Sequence, residues 1–181
     1  MKIMFLSDIH GSMKYTKIGL EKFKEEKATH LVLLGDLMYH GPRNPLPEDY
    51  NPKEVAEALN EYKEFIIAVR GNCDSEVDQM LLDFPIMSDY TEILTTKYKV
   101  FATHGHVYSK ENMPELKEGD VFIHGHFHLP MTDKVNGIYY LNPGSITLPK
   151  ENNKNSYGIL EGSNFYIKDL DGGTIKEIKI V

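Results

Sequence analysis

Three of the eight histidines lie within five residues of one another, at His124, His126 and His128, directly after a short apolar run. Asp8 and His10 follow the first apolar run of the chain in the same way. Imidazole nitrogens together with carboxylate oxygens, without thiolates, are typical ligands of divalent transition metals. The residue types therefore favour a site for an ion such as manganese, iron, zinc, nickel or cobalt.

Further candidate ligands end other apolar runs. Asp36 ends "HLVLLGD", Asn72 ends "FIIAVRGN", and His104 stands in "YKVFATHGH". These runs are typical of buried strands, and the ligands of open α/β sheets bind beyond the carboxyl ends of the strands. We therefore expect a metal site at one edge of the fold, formed by Asp8, His10, Asp36, Asn72, His104, His126 and His128.

The spacing of two pairs adds an expectation about geometry. On an extended backbone, side chains two residues apart point to the same side, so Asp8 with His10 and His126 with His128 are each predicted to chelate. A lone aspartate at a strand end is more often a turn former than a ligand. Seven suitable residues, each near the end of a predicted strand, are harder to explain as turns or surface residues.

The elements that must position these ligands alternate at first and later become strand-rich. Helical spacing covers residues 12–26 and 52–62, and the four prolines of residues 37–52 predict a long loop. From Thr91 onward strands dominate, with a hairpin around Asn136 and Gly137. The pattern predicts an α/β fold in which two facing sheets, with early strands mostly parallel, are flanked by helices.

Composition limits the classes of function. The 181 residues are 41% hydrophobic and 26% charged, as in an ordinary globular domain, and the net charge of −7 disfavours nucleic acid as a partner. No apolar run approaches the length of a membrane span. The single cysteine, Cys73, cannot form an intramolecular disulfide, which favours the cytoplasm. The composition leaves open whether the chain forms a homo-oligomer.

The motifs together resemble a known family. "D-x-H" at Asp8 and His10, "GD" at 35–36, "GN" at 71–72, the histidine at 104 and "GHxH" at 125–128 resemble the calcineurin-like metallophosphoesterase signature. "GDLMYHGPRN", "RGNCDSEVDQ" and "LNPGS" are similar to the YfcE-type phosphodiesterase subgroup. The resemblance spans residues 1 to about 145, and the length of the chain favours a single domain over residues 1–181. The resemblance implies a four-layer αββα sandwich and two divalent metal ions, manganese being preferred.

The resemblance also divides the ligands between the two ions, with Asp36 shared. It gives the first ion Asp8, His10, Asp36 and His128, and the second Asp36, Asn72, His104 and His126. His106 and His124 then remain outside both sets and are expected to support the ligands. By residue type alone, either histidine of "THGH" could reach an ion.

The implied reaction is hydrolysis of a phosphoric ester by in-line attack of a hydroxide that bridges the metals. We expect Asp36, Asn72 and His104 to be catalytic. Ser7 and Cys73 have no partners of a nucleophilic triad, so no covalent intermediate is expected.

One motif departs from the phosphoprotein phosphatases of the superfamily, which carry GNHD or GNHE where this chain has "GNCD". The Cys73 thiol is a poor general acid compared with imidazolium, so protonation of the leaving group must come from elsewhere or be dispensable. His40 and Arg43 are candidates for contacts with the phosphate. Asp74 is predicted to orient a histidine.

We expect a phosphodiesterase for small phosphodiesters, because the single negative charge of a diester is compatible with an acidic protein. A phosphomonoesterase is the nearest alternative. A non-catalytic binding scaffold like Vps29 is an alternative of another class, and a nuclease ranks third. Every ligand position of the family holds a competent residue type here, which favours the enzyme.

Overall fold

The structure, a computed structural model, describes residues 1–180. Besides one turn of 3-10 helix at Lys63–Phe65, it contains strands and α-helices in an order that is mixed at first and then all-β. In chain order, they are β1 (Lys2–Leu6), α1 (Met13–Glu25), β2 (His30–Leu33), α2 (Pro52–Asn60), β3 (Ile66–Ala68), α3 (Glu76–Gln79), β4 (Tyr90–Leu94), β5 (Lys99–Thr103), β6 (Val121–Ile123), β7 (Pro130–Val135), β8 (Ile138–Pro143), β9 (Ser156–Glu161), β10 (Asn164–Asp169) and β11 (Thr174–Lys179).

The first sheet has six strands in the order β11-β10-β9-β1-β2-β3. The early strands β1, β2 and β3 run parallel, as predicted, and β9, β10 and β11 add antiparallel neighbours. Leu31, Val32 and Leu33 of β2 are fully buried. The uninterrupted apolar run of this strand therefore reflects burial on both faces of the sheet.

The second sheet has five strands in the order β4-β5-β6-β8-β7. Its central strands β5, β6 and β8 are parallel, and its edge strands β4 and β7 are antiparallel to their neighbours. The predicted hairpin joins β7 to β8. Asn136 and Gly137 both have positive φ, at 50° and 81°, as the favoured two-residue hairpin turn requires.

The main cores lie on opposite faces of the first sheet. In β1, Ile3 and Phe5 point into the layer between the two sheets, whereas Met4 and Leu6 point towards the helices. Helix α1 begins after Ser12, whose hydroxyl accepts a hydrogen bond from the Tyr15 amide. Helices α1 and α2 thus confirm the predictions at 12–26 and 52–62 within two residues at each end.

The outer face of the second sheet differs from a helical layer. Phe101, Phe122 and Tyr140 form a small cluster there, covered partly by Tyr108 and by other residues of the segment 104–120. This segment contains no helix, and its hydrogen bonds between Ser109 and Asn112 form a turn instead. The α/β fold with two mixed sheets is confirmed, but an irregular segment replaces the fourth, helical layer of the expected αββα sandwich.

Candidate metal centre

The loops that follow β1, β2, β5 and β6 meet at one edge of the two sheets. The Asp8 amide donates to the Gly35 carbonyl at 3.2 Å, and the Gly125 amide donates to the His104 carbonyl at 2.9 Å. A hydrogen bond of 3.1 Å from the His126 amide to the Asp8 carboxylate connects the first pair of loops to the second. Strand ends that are far apart in the chain are therefore adjacent in space.

Five of the seven predicted ligands have a left-handed backbone, with φ between 52° and 67°. Such a backbone costs of order 1–3 kcal/mol at a residue other than glycine and is concentrated at functional sites. The extended backbone expected for the two pairs is therefore wrong. The residues concerned are Asp8, His10, Asp36, His126 and His128.

Asp8, His10 and His128 form a buried cluster, here called the inner group. The Nε2 atom of His128 lies 3.2 Å from Asp8 Oδ1 and 3.3 Å from His10 Nε2. Asp8 Oδ2 accepts hydrogen bonds from Ser7 and the His126 amide, whereas Oδ1 is buried and accepts none from the described residues. An oxygen and two nitrogens thus converge on a point that suits a cation.

Backbone carbonyls orient three of the imidazole rings. Nδ1 of His10 and Nδ1 of His104 contact the carbonyls of Tyr39 and Leu34, at 2.9 Å and 2.7 Å. His128 contacts the Leu148 carbonyl in the same way. Because Nδ1 carries the hydrogen in such a contact, Nε2 is the nitrogen available to a metal.

Asn72, His104 and His126 form a second cluster, the outer group. His104 Nε2 lies 3.1 Å from Asn72 Oδ1 and 3.2 Å from His126 Nδ1. His126 and His128 therefore lie in different groups, in line with the division that the family resemblance implies rather than with the pairing that their spacing suggests. Asn72 is exposed and His126 partly exposed, whereas His104 is as buried as the inner group.

Asp36 faces both groups. Its Oδ2 lies 3.8 Å from His10 Nε2 and 3.5 Å from His104 Nε2, and its Oδ1 accepts a hydrogen bond from the Cys73 amide at 2.8 Å. Asp8, Asp36 and His104 also offer atoms that all lie within 4.8 Å of one another. The arrangement is compatible with one carboxylate serving two ions.

The carboxylates make the centre electronegative. Burial raises the pKa of Asp8 and of Asp36, but contact with His128 and with His104 respectively outweighs burial, and each pKa lies below its usual value. Burial alone would lower the pKa of His104, yet Asp36 and Asp8 raise it to about 9. The same negative field that attracts a proton to His104 favours a metal cation.

Asp74 holds two of the loops together. Its carboxylate accepts hydrogen bonds from the amides of Asp36 and Leu37 at 2.8 Å and of Gly71 at 2.7 Å, rather than from the histidine that we expected. Gly71 allows the two loops to lie this close, since a Cβ there would lie 2.1 Å from the Asp36 carboxylate. The loops that carry Asp36 and Asn72 are therefore positioned by the same side chain.

A cleft of about 350 Å³ opens beside both groups. Arg43, which was predicted to contact phosphate, lines it together with Lys150. Lys150 was missed because nothing in its polar surroundings distinguishes it from other surface lysines. His40 does not line the cleft, and its ring packs instead against Tyr39 and Tyr50.

The remaining predicted residues lie around the ligands. Cys73 lines the cleft, and its Sγ accepts a hydrogen bond from the Asn72 amide group at 3.3 Å. The ring of His106 lies 5.4 Å from that of His104. His124 lies in a different cavity, and its Nδ1 contacts the Gly125 carbonyl and the Asn142 amide group.

The family is shown by comparison with known proteins. The model of the calcineurin-like phosphoesterase superfamily domain matches residues 1–164, so the chain belongs to this superfamily. The chain is 53% identical to phosphodiesterase YfcE of Escherichia coli K12 over 97% of this chain and 95% of the relative. It is 29% identical to phosphodiesterase MJ0936 of Methanocaldococcus jannaschii over 80% and 83% of the two chains.

Solved structures agree with the assignment of the chain to this superfamily. The structure of YfcE, a phosphoesterase from E. coli, matches with a TM-score of 0.98 and 48% identity over 100% of both chains. Vps29 of Entamoeba histolytica, solved in complex with zinc, matches with a TM-score of 0.62 over 100% of both chains. Its identity of 18% shows a shared fold alone.

The family and the buried Asp and His ligands together imply divalent metal ions. Across residues 1–180, the helices are all too short or too polar to cross a membrane.

Proposed function

We propose that this protein is a metal-dependent phosphodiesterase that hydrolyses small phosphodiesters bound in the cleft. The observation that carries the proposal is the position of Asp36, which faces both ligand groups and lines a cleft together with Arg43 and Lys150. The near full-length similarity to a phosphodiesterase supports the same reaction.

We propose two divalent ions, of which manganese is the preferred metal. The inner group with Asp36 would hold one ion, and the outer group with Asp36 would hold the other. When bound, such a pair lowers the pKa of a water molecule and offsets the negative charge that develops during in-line displacement at phosphorus. Nitrogen and oxygen ligands without a thiolate suit manganese, and equally allow iron, zinc, nickel or cobalt.

The residues of this chain would bind and orient the ester. Arg43 suits two parallel hydrogen bonds to phosphate oxygens, and Lys150 adds a second positive charge in the same cleft. The carbonyl contacts of His10, His104 and His128 keep the ligand nitrogens in place during the reaction. Asn72 and His126 line the cleft and are the most accessible candidate ligands.

A diester is favoured over a monoester because of charge. The chain carries a net charge of −7, and a diester brings one negative charge where a monoester at neutral pH brings close to two. The monoesterase remains the alternative activity of the same centre. We also propose that the protein acts in the cytoplasm, which the single cysteine supports.

The test is metal analysis of protein purified without added metal, followed by assays with each candidate ion restored. Bis(p-nitrophenyl) phosphate and p-nitrophenyl phosphate release the same chromophore, so their rates compare a diester with a monoester directly. We expect chelation to abolish diester hydrolysis and manganese to restore it. A protein that binds metal but cleaves neither ester with any ion would instead be a scaffold like Vps29.

A further inference from the structure

A second cavity, of about 210 Å³, lies on the outer face of the second sheet. Tyr108, His124, Phe127 and Met131 are among the residues that line it, and these four define what is here called the apolar pocket. The rings of Tyr108 and Phe101 pack edge to face at 5.2 Å, which fixes one wall of the pocket. The proposed hydrolysis assigns no role to this pocket.

Phe127 connects the apolar pocket to the metal centre, since it lines both the pocket and the cleft. The centroid of its ring lies 5.1 Å from that of His126 and 5.6 Å from that of His124. The pocket therefore begins one aromatic ring away from a candidate metal ligand. Phe127 is thus the boundary that the cleft and the pocket share.

Phe127 is 48% exposed although its backbone is held in place. The Phe127 amide donates to the Gly125 carbonyl at 2.8 Å, and the residues on either side are the candidate ligands His126 and His128. Ligand pockets are lined mainly by hydrophobic and aromatic side chains, as this one is. The backbone of Phe127 is thus held, and the exposed part of its ring is free to contact a planar group.

The two charged residues that line the apolar pocket each have a partner. Lys110 Nζ lies 4.9 Å from the centre of the Tyr140 ring and 3.9 Å from Asp133. Glu111 accepts a hydrogen bond from the Ser109 hydroxyl at 2.7 Å. With one cation and one anion among its lining residues, the pocket favours an uncharged group.

The size of the pocket suits a part of a substrate. Pockets that enclose a drug-sized ligand measure about 300–1,000 Å³. The 210 Å³ found here is below that range and matches one small ring system.

We propose that the apolar pocket binds one uncharged aromatic ester arm of the phosphodiester substrate while the phosphate lies in the cleft. This proposal rests on the proposed function, because it takes a phosphodiester as the molecule bound. It adds that the protein selects diesters by one of their two ester groups.

The test measures the binding of three phosphodiesters to manganese-loaded protein by calorimetry: dimethyl, methyl phenyl and diphenyl phosphate. One occupied aromatic pocket is expected to make methyl phenyl phosphate bind about 3- to 10-fold more tightly than dimethyl phosphate, as for an added aromatic pair. The second phenyl group of diphenyl phosphate should add little, since only one pocket is available. Equal affinities for all three diesters would overturn the proposal.

Phe127→Ala should remove most of this preference for an aryl arm, and Phe127→Tyr should retain it. Phe65→Ala is the matched control, because its ring is 45% exposed and packs against Phe23 in the helical layer. We expect this control to leave the affinities of all three diesters unchanged. If Phe127→Ala weakened the binding of dimethyl and diphenyl phosphate equally, the ring would support the loop alone and the proposal would fail.

Two further outcomes separate this proposal from its alternatives. If light scattering shows that Phe127→Ala dissociates an oligomer while the aryl preference persists, the pocket belongs to an interface between copies and the proposal is overturned. If the aryl preference is present but bis(p-nitrophenyl) phosphate is not hydrolysed, the pocket proposal stands and the proposed hydrolysis fails.

Discussion

The inner group of Asp8, His10 and His128 is buried, with His128 alone bordering the cleft, whereas two members of the outer group, Asn72 and His126, line the cleft and are exposed or partly exposed. Their chemistry is similar, since each combines two imidazoles with one oxygen ligand. Their surroundings differ in exposure. If an inner histidine is removed, the buried carboxylate of Asp8 loses a partner that offsets its charge. The comparison suggests that the inner group chiefly retains a metal and that the outer group chiefly contacts the substrate.

The largest effect is expected at Asp36, which belongs to both groups. Asp36→Asn removes the negative charge that faces His10 and His104, and each group loses a ligand of full charge. We expect diester hydrolysis to fall by more than about 100-fold, the upper end of the range for residues that only support ligands. Metal content measured on the same samples should fall at both sites.

Asp171→Asn, at an exposed turn, is the matched control and should retain full metal content and activity. An Asp36→Asn protein that kept two metals and the parental rate would show that the two groups do not share this carboxylate.

The second prediction compares the groups directly. His128→Ala should lose metal as well as activity, whereas Asn72→Ala should retain an inner metal and lose activity at least 10-fold. His30→Ala controls for the loss of an imidazole, because this side chain is exposed and lies outside both groups and outside the apolar pocket. Metal analysis and diester assays of all three variants check the comparison. Equal metal loss in His128→Ala and Asn72→Ala would break the distinction between the inner and outer groups.

Much of this arrangement was predictable, because strand ends and ligand types are local properties of the sequence. The apolar runs that end on Asp8, Asp36 and Asn72 are enough to predict that these residues lie at one edge of a sheet. The left-handed backbone of Asp8 and His10 was not predictable, since it depends on hydrogen bonds to the neighbouring loop. The two-residue spacing of Asp8 and His10 therefore predicted two side chains that lie close together, but with an incorrect backbone conformation.

The supporting residues were harder to predict for a related reason. Carbonyl groups of Tyr39, Leu34 and Leu148 orient the histidines, and every residue type carries a carbonyl. The irregular segment over the second sheet was equally unpredictable, because its packing depends on tertiary contacts rather than on helical spacing.

The third prediction concerns what holds each group in place. Asp74→Asn exchanges one acceptor oxygen for a donor beside backbone amides that also donate, so the loops of Asp36 and Asn72 should separate slightly. We expect activity to fall about 10-fold. Ser7→Ala is the counterpart for the inner group, since the Ser7 hydroxyl donates to Asp8 at 2.6 Å.

The two variants should differ in metal retention as well as in rate. Asp74→Asn is expected to weaken the outer metal more, and Ser7→Ala the inner metal more, in titrations followed by calorimetry. Identical metal affinities in the two variants would indicate that the groups are supported as one unit.

The smallest effect on the rate is expected at Cys73, beside the outer group. Burial and the neighbouring Asp36 raise the pKa of the thiol above its usual value, so it stays protonated and is a weak acid for a leaving group. Cys73→Ser should change the hydrolysis of aryl diesters by less than about 10-fold, because a single hydrogen bond contributes about 0.5–1.5 kcal/mol.

The informative measurement is the dependence of the rate on the leaving group. If no side chain protonates the departing oxygen, negative charge accumulates on it, and log kcat/KM should fall steeply as the leaving-group pKa rises. Cys73→His should flatten that line if the new imidazole reaches the oxygen. A flat line for the parent protein would show instead that His106 or another group near the outer group already donates the proton.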